Sequence, residues 1–269
     1  MILDNIISHK RREVAERREL VSIKDLEQSE FFNRPTVSLI ENLCRPDKVG
    51  IVAEIKRRSL SKGVINGDFE VEIVARDYET AGASALSILT DTEFFGGRNE
   101  DLTVAARTID CPILRKDFVV DEFQIVEARS IGADAILLIA AVLTAKEIAQ
   151  FAAFAQSLQL ETILEIHEFV ELPADLANIS VLGINNRDLR SFSVDVNRSF
   201  EIAARLPDSI VKISESGLDD ARTIVNLKHA GFDGFLIGEA FMRTREPGAA
   251  CSALIAEIKD LVENETTEN

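Results

Sequence analysis

From residue 48 onward, short apolar runs alternate with stretches whose apolar positions recur at helical spacing. The runs are 49–56, 85–91, 112–118, 135–141, 161–167, 181–187, 210–216 and 234–240. Nearly continuous Val, Ile and Leu mark each as a strand buried on both faces, as in a parallel sheet. Between them, Ala145–Gln159 and Asp219–Ala230 have the apolar spacing of helices that pack on such a sheet. Eight strands alternating with helices predict a (β/α)8 TIM barrel. An open doubly wound sheet would usually show a Gly-rich first turn of the dinucleotide type, and none follows the first run.

Residues 1–20 place Ile2, Leu3, Ile6, Ile7 and Val14 beside a charged run, Lys10 to Glu19. That pattern predicts an amphipathic surface helix, and Glu13, Glu16 and Glu19 argue against a targeting presequence. The predicted organisation is one domain: an N-terminal helical extension over 1–47, a catalytic barrel over 48–263 with its last helix at Gly248–Glu263, and a disordered tail over 264–269.

Strand parity then brings out the chemistry. Alternate residues share a face, so Glu54 and Lys56 stand side by side, and Lys116, Glu165 and Asn185 with Arg187 point into the barrel. Val211 and Ile213 share parity with Glu215, leaving Ser216 to begin the next loop. Active sites of this fold lie at the C-terminal ends of the strands, where these residues fall. Three cations and three carboxylates buried together cost desolvation energy that a purely stabilising role would repay poorly. Such a pocket can hold an anion, donate a proton and accept one.

A phosphate site is suggested separately by Gly217 after the seventh run and Gly238-Glu239 after the eighth, where barrels of this kind often bind phosphate. The carboxylate of Glu239 would have to point away from it. Ser59, Ser61 and Lys62 can add donors from the first loop, and Phe94-Phe95-Gly96-Gly97 after the second run can stack on an aromatic ring. His167 reads as a structural neighbour of Glu165.

The chain has 269 residues, 46% apolar and 28% charged, with a formal net charge of -16. So negative a surface argues against a nucleic-acid or anionic-membrane partner. Cys44, Cys111 and Cys251, with His9, His167 and His229, show neither a disulfide framework nor metal-ligand spacing. No stretch approaches membrane-spanning length, so the cytoplasm is the expected location.

Taken as an ordered series, the motifs closely resemble the indole-3-glycerol phosphate synthase family. They are Ala53-Glu54-Ile55-Lys56, Ser59 to Gly63, Thr90-Asp91 through Gly97, Leu114 to Phe118, and Asp121-Glu122-Phe123-Gln124. Leu164 to His167, Gly183 to Leu189, Ser214 to Gly217 and Phe235 to Gly238 complete it. The resemblance implies closure of 1-(o-carboxyphenylamino)-1-deoxyribulose 5-phosphate to an indole with loss of carbon dioxide and water, with no metal and no organic cofactor. It implies Lys116 as the general acid at the ribulose carbonyl oxygen. Lys56 would partner the anthranilate carboxylate, and Glu54 and Glu165 would be acid/base or positioning carboxylates. Asn185, Arg187, Glu215 and Ser216 would form the polar lining, Ser59, Gly217, Gly238 and Glu239 the phosphate site, and Phe95 and Phe118 the packing for the anthranilate ring. The expected partner is the phosphorylated substrate alone, for a monomer or weak homodimer, with other tryptophan-pathway enzymes as candidate associates.

One residue departs from the family pattern. The first loop usually reads Ser-Pro-Ser, and position 60 here is Leu. Without the ring that fixes φ, the loop should be more mobile while keeping its donors. Two alternative readings are another sugar-phosphate barrel, such as an isomerase, and a non-catalytic phosphate-ligand-binding barrel. The first works with a carboxylate pair and has no need of Glu-x-Lys plus a second lysine; the second would be expected to lack Lys116 or Glu54.

Overall fold

In the computed structural model, which describes residues 2–188 and 191–267, eight parallel strands close into a barrel. They are β1 (Ile51–Ile55), β2 (Ala85–Leu89), β3 (Ile113–Lys116), β4 (Ala135–Ile139), β5 (Glu161–Ile166), β6 (Val181–Asn185), β7 (Lys212–Glu215) and β8 (Gly234–Ile237). Each pairs with its sequence neighbours, and β1 closes the ring by pairing Val52 with Ala85 of β2 and Ala53 with Ile237 of β8. Each observed strand falls inside its predicted run. Leu189, in the motif after β6, lies outside the described residues.

Parity divides the core in two. Val52, Leu114, Ile163, Val181, Ile213 and Leu236 fill the barrel interior, whereas Ala53, Ile88, Leu138, Ile166 and Ile184 face the surrounding helices. Two residues beyond four of the interior apolar side chains, on the same face, come Glu54, Lys116, Glu165 and Glu215. The apolar layer therefore sits below a polar one, and the charges gather at one mouth of the barrel.

The opposite end is shut. Leu39 and Leu43, on the short helix Leu39–Leu43, bury their side chains among the interior residues. Each contributes about 1.5–3 kcal/mol by leaving water. Glu161, at the start of β5, fixes this helix: its carboxylate accepts from Ser38 Oγ at 2.6 Å, Leu39 N at 2.7 Å and Ile40 N at 3.0 Å.

The N-terminal helix spans Ile2–Leu20, as the pattern predicts, but its charged run is not all solvated. Ile6, Lys10 and Val14 are buried at i, i+4 spacing, so the face that docks on the barrel carries a lysine at its centre. The last helix begins at Pro247, where a proline suits the first turn, and runs to Thr267 instead of stopping at Glu263. Arg222 and His229 reach Glu265 at 3.1 and 3.2 Å, which ties the added turn to the helix before β8. Of the expected tail, Glu268 and Asn269 lie outside the described residues. No helix among the described residues is long and apolar enough to cross a membrane.

Candidate active site

A cavity of about 630 Å³ opens at the C-terminal ends of the strands, and all fourteen residues singled out by sequence line it. Its floor is apolar, with Leu89, Leu137, Ile139 and Leu236; the walls carry the charges.

Of the three lysines that line it, Lys116 and Lys56 are held by carboxylates. Lys116 donates to Glu165 at 2.8 Å and to Glu215 at 2.6 Å. Lys56 donates to Glu54 Oε1 at 2.7 Å, as their shared strand face requires. The other oxygen of Glu54 accepts from Ser87 Oγ of β2 at 3.4 Å. Burial alone would pull the Lys116 ammonium pKa down, but Glu165 and Glu215 outweigh it and hold the group well above its ordinary value.

The two carboxylates on Lys116 are driven apart. Burial opposes ionisation of both. At Glu165, Lys116, His167 and Asn185 win, and the carboxyl falls to about 2. At Glu215, burial and the nearby negative charge prevail over Lys116, and the carboxyl rises to about 7. At neutral pH the pair therefore sets a permanently ionised carboxylate, which anchors the ammonium, beside a carboxyl poised to take up or release a proton.

Two glycines make room for these carboxylates. A Cβ on Gly183 of β6 would lie 2.4 Å from Glu215 Oε1, and a Cβ on Gly238 would lie 2.6 Å from Glu54 Oε1. Gly238 thus clears space for Glu54 in addition to its place before the four-residue helix Glu239–Met242. The β7 loop turns through two left-handed residues, Ser216 (φ 70°) and Gly217 (φ 76°). A serine there is strained, and Asn186 Nδ2 steadies it by donating to Ser216 O at 3.0 Å.

Arg187 stands at the rim, where Nη1 donates to Ser61 Oγ at 3.2 Å and Nη2 lies 3.8 Å from Glu239. The carboxylate of Glu239 turns toward this cation. Ser59 and Ser61 belong to an antiparallel hairpin, Arg58–Ser59 against Gly63–Val64, with Leu60 near its tip. On the other side of the mouth, the rings of Phe95 and Phe118 are 6.1 Å apart and tilted by 39°. His167 lies 3.5 Å from Glu165 and 3.6 Å from Glu171, outside the cavity lining. Among the described residues no group of three or more His, Cys, Asp or Glu side chains is arranged to hold a metal ion.

The sequence motifs contain Asp91 and Asp117 without giving them a role, and Lys10 lies outside them, although the two aspartates line the cavity and Lys10 bridges them. A signal existed: Lys10 interrupts the Ile6–Val14 apolar stripe at a position where a surface lysine does not belong.

Fold and site together define a (β/α)8-barrel protein with a lysine–carboxylate acid–base pocket at its open mouth. The family profile for indole-3-glycerol phosphate synthase matches residues 3–254. An indole-3-glycerol phosphate synthase of Bacteroides thetaiotaomicron is 46% identical over 247 residues, covering 92% of this chain and 95% of that one. Another, of Salinibacter ruber, is 40% identical over 263 residues, covering 97% of each. A solved thiamine phosphate pyrophosphorylase from Pyrococcus furiosus aligns with a TM-score of 0.59 at 15% identity, covering 83% of this chain and 99% of that one, a likeness of fold alone. The chain belongs to the indole-3-glycerol phosphate synthase family.

Proposed function

We infer that this protein closes 1-(o-carboxyphenylamino)-1-deoxyribulose 5-phosphate to indole-3-glycerol phosphate, releasing carbon dioxide and water. The observation that carries this reading is Lys116, protonated and wedged between Glu165 and Glu215 above an apolar floor. Indole formation needs an acid at the ketone oxygen, a base for the proton lost from the ring system, and a dry apolar seat for the aryl group.

In the proposed reaction the aryl carbon bearing the carboxylate attacks C2 of the ribulose chain. Lys116 donates a hydrogen bond, and then a proton, to the carbonyl oxygen as negative charge develops there. Loss of carbon dioxide leaves its electron pair in the ring. Departure of the C2 hydroxyl as water and loss of a proton from C1 then complete the indole. Glu215, near 7, is the carboxyl matched to take up that proton or return one to Lys116, while Glu165, ionised throughout, holds the Lys116 ammonium in place. Lys56, tethered to Glu54, meets the substrate carboxylate and assists loss of the hydroxyl.

Substrate orientation follows from where opposite charges and surfaces lie. Ser59, Arg187 and the backbone around Gly217 and Gly238 take the phosphate, and Phe95 and Phe118 flank the anthranilate ring. Asn185 and Ser216 line the space between. The reading carries with it a cytoplasmic enzyme, monomeric or weakly dimeric, whose partner is this small anionic substrate. Incubation with the substrate should release carbon dioxide and indole-3-glycerol phosphate in equal amounts. Binding without either product would leave a phosphate-ligand-binding barrel as the better account.

A further inference from the structure

Lys10 has no place in the chemistry above, yet it is among the most buried side chains of the protein, with 1% of its surface exposed. Its ammonium lies 2.9 Å from Asp91, 3.0 Å from Asp117 and 3.0 Å from Glu13 of its own helix. Burial by itself would lower its pKa, and the three carboxylates reverse that and hold it above the ordinary value. Docking the helix would not require this cation, because Ile6 and Val14 supply apolar contacts on either side. Asp117 also has a second cation, with Arg115 Nη2 at 3.5 Å.

Both aspartates lead directly to an aromatic wall of the cavity. Asp91 Oδ1 accepts from the backbone N–H groups of Phe94 at 2.7 Å and Phe95 at 3.2 Å, capping the helix Thr92–Phe95. Its other oxygen faces Lys10. Asp117 Oδ1 accepts from Phe118 N at 2.7 Å and also faces Lys10, while Thr90 Oγ1 donates to Oδ2 at 2.5 Å. The preceding residue, His9, sets its ring edge-on to Phe94 with 5.5 Å between centroids. One ammonium thus ties together the loops after β2 and β3, and with them the backbones of Phe95 and Phe118.

We propose that Lys10 is a positioning residue that sets the spacing of Phe95 and Phe118 through Asp91 and Asp117, making the N-terminal helix part of the frame that seats the substrate's aryl ring. The role of those rings rests on the synthase reading, whereas the ordering of their backbones by Lys10 does not. The consequence is a selective one. Slackening this frame weakens ground-state and transition-state binding of the ring alike, so KM rises while kcat is largely kept.

The test compares wild type with Lys10→Met by steady-state kinetics and by amide hydrogen exchange. In Lys10→Met, exchange at Phe94, Phe95 and Phe118 and the KM for the carboxyphenylamino substrate should each rise about tenfold, as expected for losing a charge-assisted contact. The value of kcat should change by less than about threefold. Should that variant fail to fold, Asp91→Asn keeps an oxygen for the helix cap, leaves Lys10 paired with Asp117 and Glu13, and should shift KM and exchange in the same direction. Val14→Ala loosens the same helix against Val120 and Phe123 without touching the aspartates, and should lower stability while sparing KM. Unchanged exchange and KM in the Lys10 variant, or equal changes in Val14→Ala, would overturn the proposal. Faster exchange at these amides in an enzyme whose wild type turns over no substrate would leave the positioning role standing and sink the synthase reading instead.

Discussion

Lys116 and Glu215, on strands four apart in the barrel, meet at 2.6 Å over the centre of the cavity. Neither would be tolerated there alone. The ammonium needs counter-charge to stay protonated once buried, and the carboxylate is already pushed toward neutrality with that ammonium beside it. The contact holds a proton donor ready in a site that excludes much of the solvent.

That contact depends on an absent side chain. A methyl at position 183 would fall 2.4 Å from Glu215 Oε1 and 3.2 Å from Ile163 Cγ2, so Gly183→Ala must push the carboxylate away. We expect the variant to keep its fold and to lose about tenfold or more in kcat, the effect of misplacing one charged hydrogen bond. Steady-state kinetics with circular dichroism would check both halves; wild-type kcat would show that Glu215 does not hold Lys116 for turnover.

The raised Glu215 carboxyl also makes a statement about stability. An unfolded glutamate ionises near 4.5 whereas the folded one does so near 7. Between those values the native state keeps a proton that the unfolded chain has lost, so this group's contribution falls as pH rises through the window. Glu165 works in the opposite sense but lower, adding stability between about 2 and 4.5 and nothing further above. Glu215→Gln mimics the protonated form. It should lose activity yet, at about pH 8, be more stable than wild type by on the order of 1 kcal/mol. Urea midpoints at about pH 5 and pH 8 measure this, and an equal change in both proteins would contradict it.

Leu60 sits near the tip of the Arg58–Ser59/Gly63–Val64 hairpin, where Lys62 N donates to Ser59 Oγ at 3.2 Å. Leu60 is not among the residues with positive φ, and a proline there would narrow the loop's alternatives in the unbound and unfolded chain. Leu60→Pro should lower KM up to about threefold, or leave it unchanged, with kcat the same. A large rise in KM would mean that the loop must bend elsewhere to admit substrate.

Much of this site was legible because a strand has a period of two. Once Val52, Leu114, Ile163 and Ile213 are placed inward, Glu54, Lys116, Glu165 and Glu215 have nowhere else to point. The closure of the barrel followed from eight buried runs separated by helices. What escaped was held by contacts between distant segments. The burial of Lys10 depends on two aspartates 81 and 107 residues away; its own helix shows that it interrupts the Ile6–Val14 stripe but not what it meets there. Gly183 reads as a weak strand position until the Glu215 side chain is seen in the space beside it. The final turn to Thr267 likewise hinges on Arg222 and His229, which the local polarity of the tail does not reveal.

The most direct test of the central claim follows indole fluorescence while the carboxyphenylamino-deoxyribulose phosphate is added to wild type and to Lys116→Ala. The chain has no Trp and one Tyr, so the product stands clear of the protein background. The account expects a steady rise in wild type and a rate lower by about 10²–10⁴ in the variant, with circular dichroism unchanged. Wild-type turnover by folded Lys116→Ala would contradict it.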